Sequence, residues 1–233
     1  MTSYDVFNGD ADGLCSLHQL RLEEPRDAVL VTGAKRDVAL LERVDAHAGD
    51  AVCVLDVSMA ANLSPLTALL ERGVTVQYFD HHYAAELPTH PRLQAVIDVS
   101  PRVCTGILVD RYLHGRRRIW AAVAAFGDNL PAEAADLVAS LRLENGQLGA
   151  LRRLGEALAY NAYGDSVADL IVPPVDLYRT LAGYEDPFRL LQTERSERVP
   201  SGLLVAEYGE QQMVGEKDNG LEQPSALMDG AKD

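Results

Sequence analysis

Three apolar segments of this chain end in acidic or imidazole side chains, and this repeated pattern is the strongest constraint on the fold. The endings are Asp10 and Asp12 after segment 4–9, Asp56 after segment 51–55, and Asp80-His81-His82 after segment 74–79. The segments are rich in valine and aromatic residues, as β-strands are. In open α/β sheets, ligands bind at the carboxyl ends of the strands. Three such endings in one domain predict a shared site for divalent metal ions.

Segments with helical spacing of leucine separate the predicted strands. This alternation predicts an α/β fold with a doubly wound, mainly parallel sheet, followed by a helical segment. The strands are near-continuous apolar runs, which is typical of strands covered on both faces. Asp37 is expected to cap a helix that buries Leu40, Leu41 and Val44. After a short strand at 94–99, the predicted helices span 104–114, 118–127, 131–144 and 147–160.

The predicted α/β domain, with its sheet and helices, comprises residues 1–165. A linker or short helical extension is expected over 166–200, where prolines interrupt the apolar pattern and leave room for at least one further helix. Residues 201–233 are polar and acidic without any period, so a poorly ordered acidic tail is expected there.

The composition bounds the class of protein and its partners. The chain has 233 residues, of which 47% are hydrophobic, enough for one packed domain. The formal net charge of −14 argues against a long nucleic-acid duplex as partner, because such binders are usually basic. Cys15, Cys53 and Cys104 form no CxxC pair and are expected to be buried thiols of a reducing compartment. No N-terminal signal is visible and no apolar run approaches the about 20 residues of a membrane span, so a cytoplasmic protein is expected.

Four motifs in order resemble those of the DHH phosphoesterase superfamily. They are Asp10-Ala11-Asp12-Gly13, Asp56, Asp80-His81-His82 and Gly127-Asp128. The superfamily includes RecJ single-strand exonucleases, oligoribonucleases, cyclic-dinucleotide phosphodiesterases, and family II pyrophosphatases and exopolyphosphatases. The Asp-His-His motif alone is weak, but all four motifs in this order and spacing are specific. The resemblance covers residues 1 to about 165.

The resemblance implies two manganese ions, with magnesium as the second choice, which together activate a water molecule. By this resemblance, Asp10 is expected to bind one ion and Asp12 the other, and Asp56 is expected to bridge the two. The catalytic residues that the resemblance implies are Asp10, Asp12, Asp56, Asp80, His81 and His82. The implied metal ligands are Asp10, Asp12, Asp56, Asp80, His81 and Asp128. Taken singly, each acid is better explained as a helix cap, whereas the whole set favours a metal site.

The sequence departs from the superfamily pattern in two places. Relatives usually carry His four residues before the first acid, or Asp two before it, and Val6 and Asn8 occupy those positions. The first ion is therefore expected to bind weakly. Most relatives that degrade nucleic acids have a C-terminal lobe, and no corresponding glycine-rich, histidine-containing stretch follows Gly164. Either this branch lacks that lobe, or the chain is truncated or altered near residue 205.

Four further residues are candidates for binding substrate: Asn8, Ser16, Arg36 and Asn161. Each has a structural alternative, as a turn residue, a helix hydroxyl, a solvated arginine or a helix end. The sequence thus predicts a metal-dependent phosphodiesterase of exonuclease type, acting on a short single-stranded oligonucleotide or a small nucleotide. Two alternatives stay open: a pyrophosphatase or polyphosphatase of the same superfamily, and a catalytically silent module that binds metal or nucleotide.

Overall fold

The computed structural model describes residues 1–84 and 87–194, and these form a parallel sheet with helices on both faces. The strands are β1 (Ser3–Asn8), β2 (Val29–Gly33), β3 (Ala51–Leu55), β4 (Thr75–Asp80) and β5 (Leu93–Ile97). The α-helices are α1 (Ala11–Glu23), α2 (Leu63–Glu71), α3 (Thr105–Tyr112), α4 (Arg118–Gly127), α5 (Pro131–Val138), α6 (Gln147–Asn161), α7 (Pro174–Ala182) and α8 (Pro187–Glu194).

All neighbouring strands pair in parallel, in the order β2-β1-β3-β4-β5. β1 is flanked by β2 on one side and by β3 on the other, so the strand order reverses direction at β1. In doubly wound sheets, ligands bind outside the carboxyl ends of the strands at this point. The predicted α/β fold with a doubly wound parallel sheet is confirmed.

Alternation along the strands gives the sheet two apolar faces. Phe7 and Phe79 belong to a large core that includes residues of α1, α3 and α4. Their neighbours Val6 and Tyr78 belong to a second core on the other face, which includes residues of α2. The strands are therefore covered on both sides, as their continuous apolar sequence predicts.

The predicted helix after Asp37 is wrong. Residues Leu40–Arg43 form a single 3-10 turn, and Asp37 forms an ion pair with Arg43. The side chain of Asn62 accounts for the difference. Its Oδ1 accepts the N–H of Leu41 at 3.1 Å, and its Nδ2 donates to the carbonyl of Val38 at 2.6 Å. Backbone groups that are satisfied in this way do not need the hydrogen bonds of a longer helix.

Helix α5 ends at Val138, earlier than the predicted 144. Most of the residues from 139 to 146 are exposed, so a longer helix would have no core to pack against. Within the predicted linker or extension, the described residues form α7 and α8. Tyr178 of α7 lies against Phe7 of β1, with ring centroids 5.5 Å apart. The predicted acidic tail, 201–233, lies outside the described residues. Among the described helices, none has the length and apolar character needed to cross a membrane.

Candidate metal centre

The turn after β1 brings Asp10 to the start of α1. Oδ1 of Asp10 accepts the backbone N–H groups of Asp12 at 3.0 Å and of Gly13 at 3.2 Å, which is the hydrogen bonding of a helix N-cap. Gly13 is required here, because an added Cβ would lie 2.2 Å from the carbonyl oxygen of Asn8. Because the turn approaches the end of β1 so closely, the carboxylates of Asp10 and Asp12 have a fixed direction.

Asp12 is held by the N-terminus of α3. Its Oδ2 accepts the N–H of Thr105 and its Oδ1 accepts the N–H of Gly106, both at 2.7 Å. The positive end of a helix dipole favours a carboxylate in this position. The hydroxyl of Thr105 also lies 3.3 Å from Oδ1 of Asp56. The sequence analysis did not single out Thr105 or Gly106, although the predicted helix start at 104 marks their position.

Asp56 follows β3 in a backbone conformation that few residues adopt. Its φ angle is +58°, in the left-handed region, and its N–H donates to the carbonyl of Phe79 at 3.0 Å. Residues held in this region are concentrated at functional sites, and aspartate is one of the few non-glycine residues that tolerate it. The buried carboxyl of Asp56 is therefore placed by backbone strain rather than by a helix cap.

The imidazole of His81 lies among three carboxylates. Its Nε2 is 3.4 Å from Oδ1 of Asp56, 3.7 Å from Oδ2 of Asp12 and 3.8 Å from Oδ2 of Asp128. These distances exceed the about 2.9 Å of an ordinary hydrogen bond. Ligands about 2.1 Å from one octahedral ion lie about 3.0 to 4.2 Å apart, depending on the angle between them. The donor set therefore fits a divalent cation that accepts oxygen and imidazole ligands.

Two overlapping groups in the described part of the chain have ligand atoms close enough to share an ion. One consists of Asp12, His81 and Asp128, and the other of Asp56, His81 and His82. The predicted ligands Asp12, Asp56, His81 and Asp128 are thus brought together at the carboxyl edge of the sheet. Asp10 belongs to neither group.

Asp80 is fully buried and holds His82. Its Oδ1 lies 2.6 Å from Nδ1 of His82, and its Oδ2 accepts the N–H of Met59 at 3.3 Å. The hydrogen bond to Asp80 is the main reason why the pKa of His82 is raised. Both oxygens of Asp80 therefore bond to groups of the fold, and its predicted role as a metal ligand stays a prediction.

Lys35, which follows β2, is part of the site although the sequence analysis did not select it. Its Nζ lies 2.6 Å from Oδ2 of Asp10, and its backbone N–H donates to the carbonyl of Ala162 at 3.0 Å. Nδ2 of Asn8 lies 3.4 Å from the carbonyl of Lys35, and Oδ1 of Asn8 accepts the N–H of Asp10 at 3.2 Å. The ammonium also lies 5.8 Å from the ring centroid of Tyr163. Lys35 is the cation that accompanies Asp10.

The buried carboxylates of the site differ in whether a nearby positive charge offsets their negative charge. Burial and the neighbouring carboxylates, first among them Asp12, raise the pKa of Asp56 well above its ordinary value. The same two causes raise the pKa of Asp128 to about 7. Burial also opposes ionisation of Asp10, but the charge and hydrogen bond of Lys35 outweigh it and lower the pKa of Asp10. The nearby positive charge does not offset burial and mutual repulsion for Asp56 and Asp128, and a metal ion would supply the missing positive charge.

A cavity of about 230 Å³ opens onto these side chains, and Asn8, Asp10, Lys35, Asp56, His81, His82 and Asp128 are among its lining residues. Two larger hollows, of about 610 and 500 Å³, lie away from the metal centre. Neither is lined by a group of candidate metal ligands among the described residues. The smaller cavity is therefore the candidate metal site.

The other predicted substrate-binding residues do not line the cavity in the described structure. Ser16 is buried within α1, and its hydroxyl has no hydrogen-bond partner among the described residues. Arg36 is exposed and lies 3.2 Å from Asp165. The amide of Asn161 is engaged with the backbone N–H and carbonyl of Val172, both at 2.9 Å. A role for these residues in binding substrate stays a prediction.

Fold and site together define a doubly wound α/β protein with a candidate divalent-metal centre at the carboxyl edge of its sheet. Among solved structures, the chain is similar to exonuclease RecJ bound to manganese, with 19% sequence identity and a TM-score of 0.51. The match covers 93% of this chain and 64% of that structure. A second structure, RecJ in complex with Mn²⁺ from Thermus thermophilus, matches at 18% identity and a TM-score of 0.41, over 94% of this chain and 38% of that one. No family model and no curated protein matches the sequence. The resemblance predicted from the motifs is confirmed at the level of the fold.

Proposed function

We propose that this chain is a metal-dependent phosphoesterase that hydrolyses a phosphodiester in a short single-stranded oligonucleotide or a small nucleotide. The convergence of Asp12, Asp56 and Asp128 on Nε2 of His81, within 3.4 to 3.8 Å, is the observation that carries the proposal. The similarity in fold to a manganese-bound exonuclease supports it. Manganese is the proposed cofactor, with magnesium as an alternative.

Each group of the chain has a separate task in this reaction. Asp12, Asp56, His81 and Asp128 would hold the cation, which when bound would supply Lewis-acid charge and lower the pKa of water. The water would lose one proton to solvent as its oxygen forms a bond to phosphorus, while the ester oxygen leaves with the electron pair of the broken P–O bond and takes up a proton from the chain. His82 lines the cavity and is oriented by Asp80, so it is the proposed donor of that proton. Lys35 is placed to bind a non-bridging phosphate oxygen.

The three consecutive arginines at 116–118 do not provide a basic surface for binding a long nucleic-acid strand. Arg116 and Arg117 form ion pairs with Glu23, and Arg117 also with Glu185. Arg118 lies 3.6 Å from Asp110. Since acidic side chains already neutralise the run, it offers little attraction to a phosphate backbone. This favours a short substrate over a long strand.

Tyr163 provides a reason to prefer a nucleotide over a purely inorganic substrate. The residue is 62% exposed, and its ring lies beside Lys35 at the edge of the candidate metal centre. Exposed aromatic rings bind nucleobases by stacking, largely without regard to sequence. A phosphate bound at Lys35 would bring its base within reach of this ring.

The experiment is manganese-dependent hydrolysis of a 5′-phosphorylated diadenylate, followed by chromatography of the mononucleotide product. Wild type is expected to be active, and Asp56→Asn to fall to background, because its substitution removes a ligand without changing the shape of the side chain. Asp176→Asn, the same change at an exposed site on α7, is the matched control. Equal background rates for wild type and Asp56→Asn would show that the chain does not catalyse this reaction.

A pyrophosphatase or polyphosphatase is the second candidate. The cavity of about 230 Å³ is below the about 300 Å³ at which pockets for larger ligands begin, which favours a small anion. Release of phosphate from pyrophosphate, without cleavage of the dinucleotide, would support this candidate. Binding of manganese without turnover of either substrate would instead support a silent binding module.

A further inference from the structure

Both carboxylate oxygens of Asp10 already accept hydrogen bonds from donors of the chain itself. Oδ1 accepts two backbone N–H groups, from Asp12 and Gly13. Oδ2 lies 2.6 Å from the ammonium of Lys35. Among the described residues, Asp10 is also absent from both groups whose ligand atoms are close enough to share an ion. The acid that the resemblance assigns to the first of two ions therefore already has a cation.

The chain holds Lys35 in this position from several sides. Its backbone N–H donates to Ala162, just beyond the end of α6, and its carbonyl lies 3.4 Å from the amide nitrogen of Asn8. Its aliphatic stem is largely covered, since only 31% of the side chain is exposed. The ammonium is therefore delivered to Asp10 by packing and backbone contacts rather than by a freely moving surface chain.

Asn8 belongs to the same arrangement. Its Oδ1 accepts the N–H of Asp10 at 3.2 Å, and its Nδ2 points to the carbonyl of Lys35. The neutral amide thus joins the end of β1 to the segment after β2. An aspartate here would be a further acid for a metal ion, but its carboxylate would repel the Lys35 carbonyl that the amide nitrogen now contacts. A neutral amide at position 8 is therefore compatible with the position of Lys35, whereas a carboxylate would not be.

We propose that the ammonium of Lys35 takes the place of one divalent ion, so that the chain binds a single metal ion, held by Asp12, Asp56, His81 and Asp128. Lys35 is then a fixed monovalent cation bound to Oδ2 of Asp10. A second divalent ion at Asp10 would have to displace it against charge repulsion. The inference rests on the proposed function, since it concerns the number of ions in that same site.

The test counts manganese ions without using activity. Isothermal titration of the metal-free chain with Mn²⁺ is expected to give one ion per chain, and electron paramagnetic resonance of the loaded protein a mononuclear spectrum without exchange coupling. Lys35→Met keeps most of the length of the side chain and removes its charge, so it is expected to admit a second, weaker ion beside Asp10. Arg152→Met, which removes one positive charge from an exposed pair on α6, is the control. It is expected to bind one manganese ion per chain, as wild type does.

The outcomes separate this inference from the proposed function. Two ions in wild type, or an exchange-coupled spectrum, would overturn the inference and leave a metal-dependent phosphoesterase in place. One ion in both wild type and Lys35→Met would also overturn it, because the lysine would then not be what excludes the second ion. No bound ion would overturn both proposals. Circular dichroism reports folding, and Lys35→Gln replaces Lys35→Met if the latter does not fold.

Discussion

The backbone N–H of Thr105 lies 2.7 Å from Oδ2 of Asp12, across 93 positions of sequence. Gly106 makes the corresponding contact to Oδ1 at the same distance. The first turn of α3 therefore fixes the orientation of a proposed metal ligand on α1, and the positive end of its dipole stabilises the charge. The geometry of the metal centre depends on how closely α3 approaches α1.

Gly106→Ala is expected to weaken manganese binding and to destabilise the protein. An added Cβ would lie 2.4 Å from Cβ of Ala124 and 3.2 Å from Oδ1 of Asp12, so α3 has to move. Crowding of a packed interior costs about 1–3 kcal/mol of unfolding free energy. Loss of a group that orients a ligand raises the dissociation constant for metal about 10- to 100-fold. Urea unfolding and calorimetry with Mn²⁺ measure the two effects.

Gly149→Ala is the matched control for this substitution. The nearest atom to its added Cβ is the flexible end of Arg153, at 3.4 Å. Alanine in a helix is about 0.8–1.0 kcal/mol more favourable than glycine, so unchanged metal affinity and equal or higher stability are expected. If Gly106→Ala binds Mn²⁺ as tightly as this control, the contact between α3 and Asp12 is not needed for the site.

Asp80→Asn is expected to lower kcat, whereas Asp12→Asn is expected to lower the affinity for Mn²⁺. Oδ1 of Asp80 is bonded to His82 and Oδ2 to Met59, so the substitution should lower kcat about 10- to 100-fold with little change in Mn²⁺ affinity. Asp12→Asn removes charge from a ligand and should abolish tight Mn²⁺ binding. Calorimetry and hydrolysis of the dinucleotide separate the two. Loss of Mn²⁺ binding in Asp80→Asn would identify Asp80 as a ligand after all.

The sequence was sufficient for the fold and for much of the proposed site because strand ends are easy to recognise. Continuous apolar runs indicated strands covered on both faces, and parallel strands bring their carboxyl ends to one edge. Asp56 and His81 therefore converge in the structure although 25 positions separate them, as the numbering of the two residues shows. The same argument applied to β2 predicted Arg36 as a contact for substrate, whereas its neighbour Lys35 is the residue that reaches Asp10 and Arg36 pairs with Asp165 at the surface.

Other features of the site have no local sequence signal. Thr105 and Gly106 act through backbone N–H groups, which every non-proline residue carries. The single 3-10 turn at Leu40–Arg43 depends on the side chain of Asn62, which is far away in sequence and packs against it only after folding. The residues after Val138, where α5 ends, are mostly exposed, and this exposure is likewise a property of the packed protein. Such features follow from tertiary contacts and not from propensity.

Arg21→Met is expected to cost about 3–5 kcal/mol of unfolding free energy. The guanidinium lies 2.8 Å and 2.5 Å from the two carboxylate oxygens of Asp5, and both side chains are buried. Removal of one partner leaves a buried charge unpaired, and the double variant with Asp5→Leu should recover most of the loss. Arg152→Met, in an exposed pair, should change stability by less than about 1 kcal/mol. Similar losses in urea unfolding for both single variants would contradict this expectation.

His18 is expected to make the protein less stable as the pH falls through the range from about 6.5 to about 4. Burial lowers the pKa of the imidazole from 6.5 to about 4, while Nε2 lies 2.9 Å from the carbonyl of Tyr184. Because the folded pKa is below the unfolded one, the unfolded chain binds more protons in this window. The stability that neutral His18 contributes is fully present above pH 6.5 and amounts to about 2 kcal/mol less at pH 5 than at pH 7.

The measurement compares urea unfolding of wild type and His18→Leu at several pH values. Carboxylates titrate in both proteins, so the difference between the two curves isolates the imidazole. The substitution also removes the contact to Tyr184 and the edge-on packing against Trp120, with ring centroids 4.5 Å apart, and this lowers stability at every pH by a constant amount. The difference between the proteins should therefore shrink as the pH falls from 7 to 5. A constant difference over this range would mean that the folded protein accommodates a protonated His18, contrary to its burial beneath Trp120.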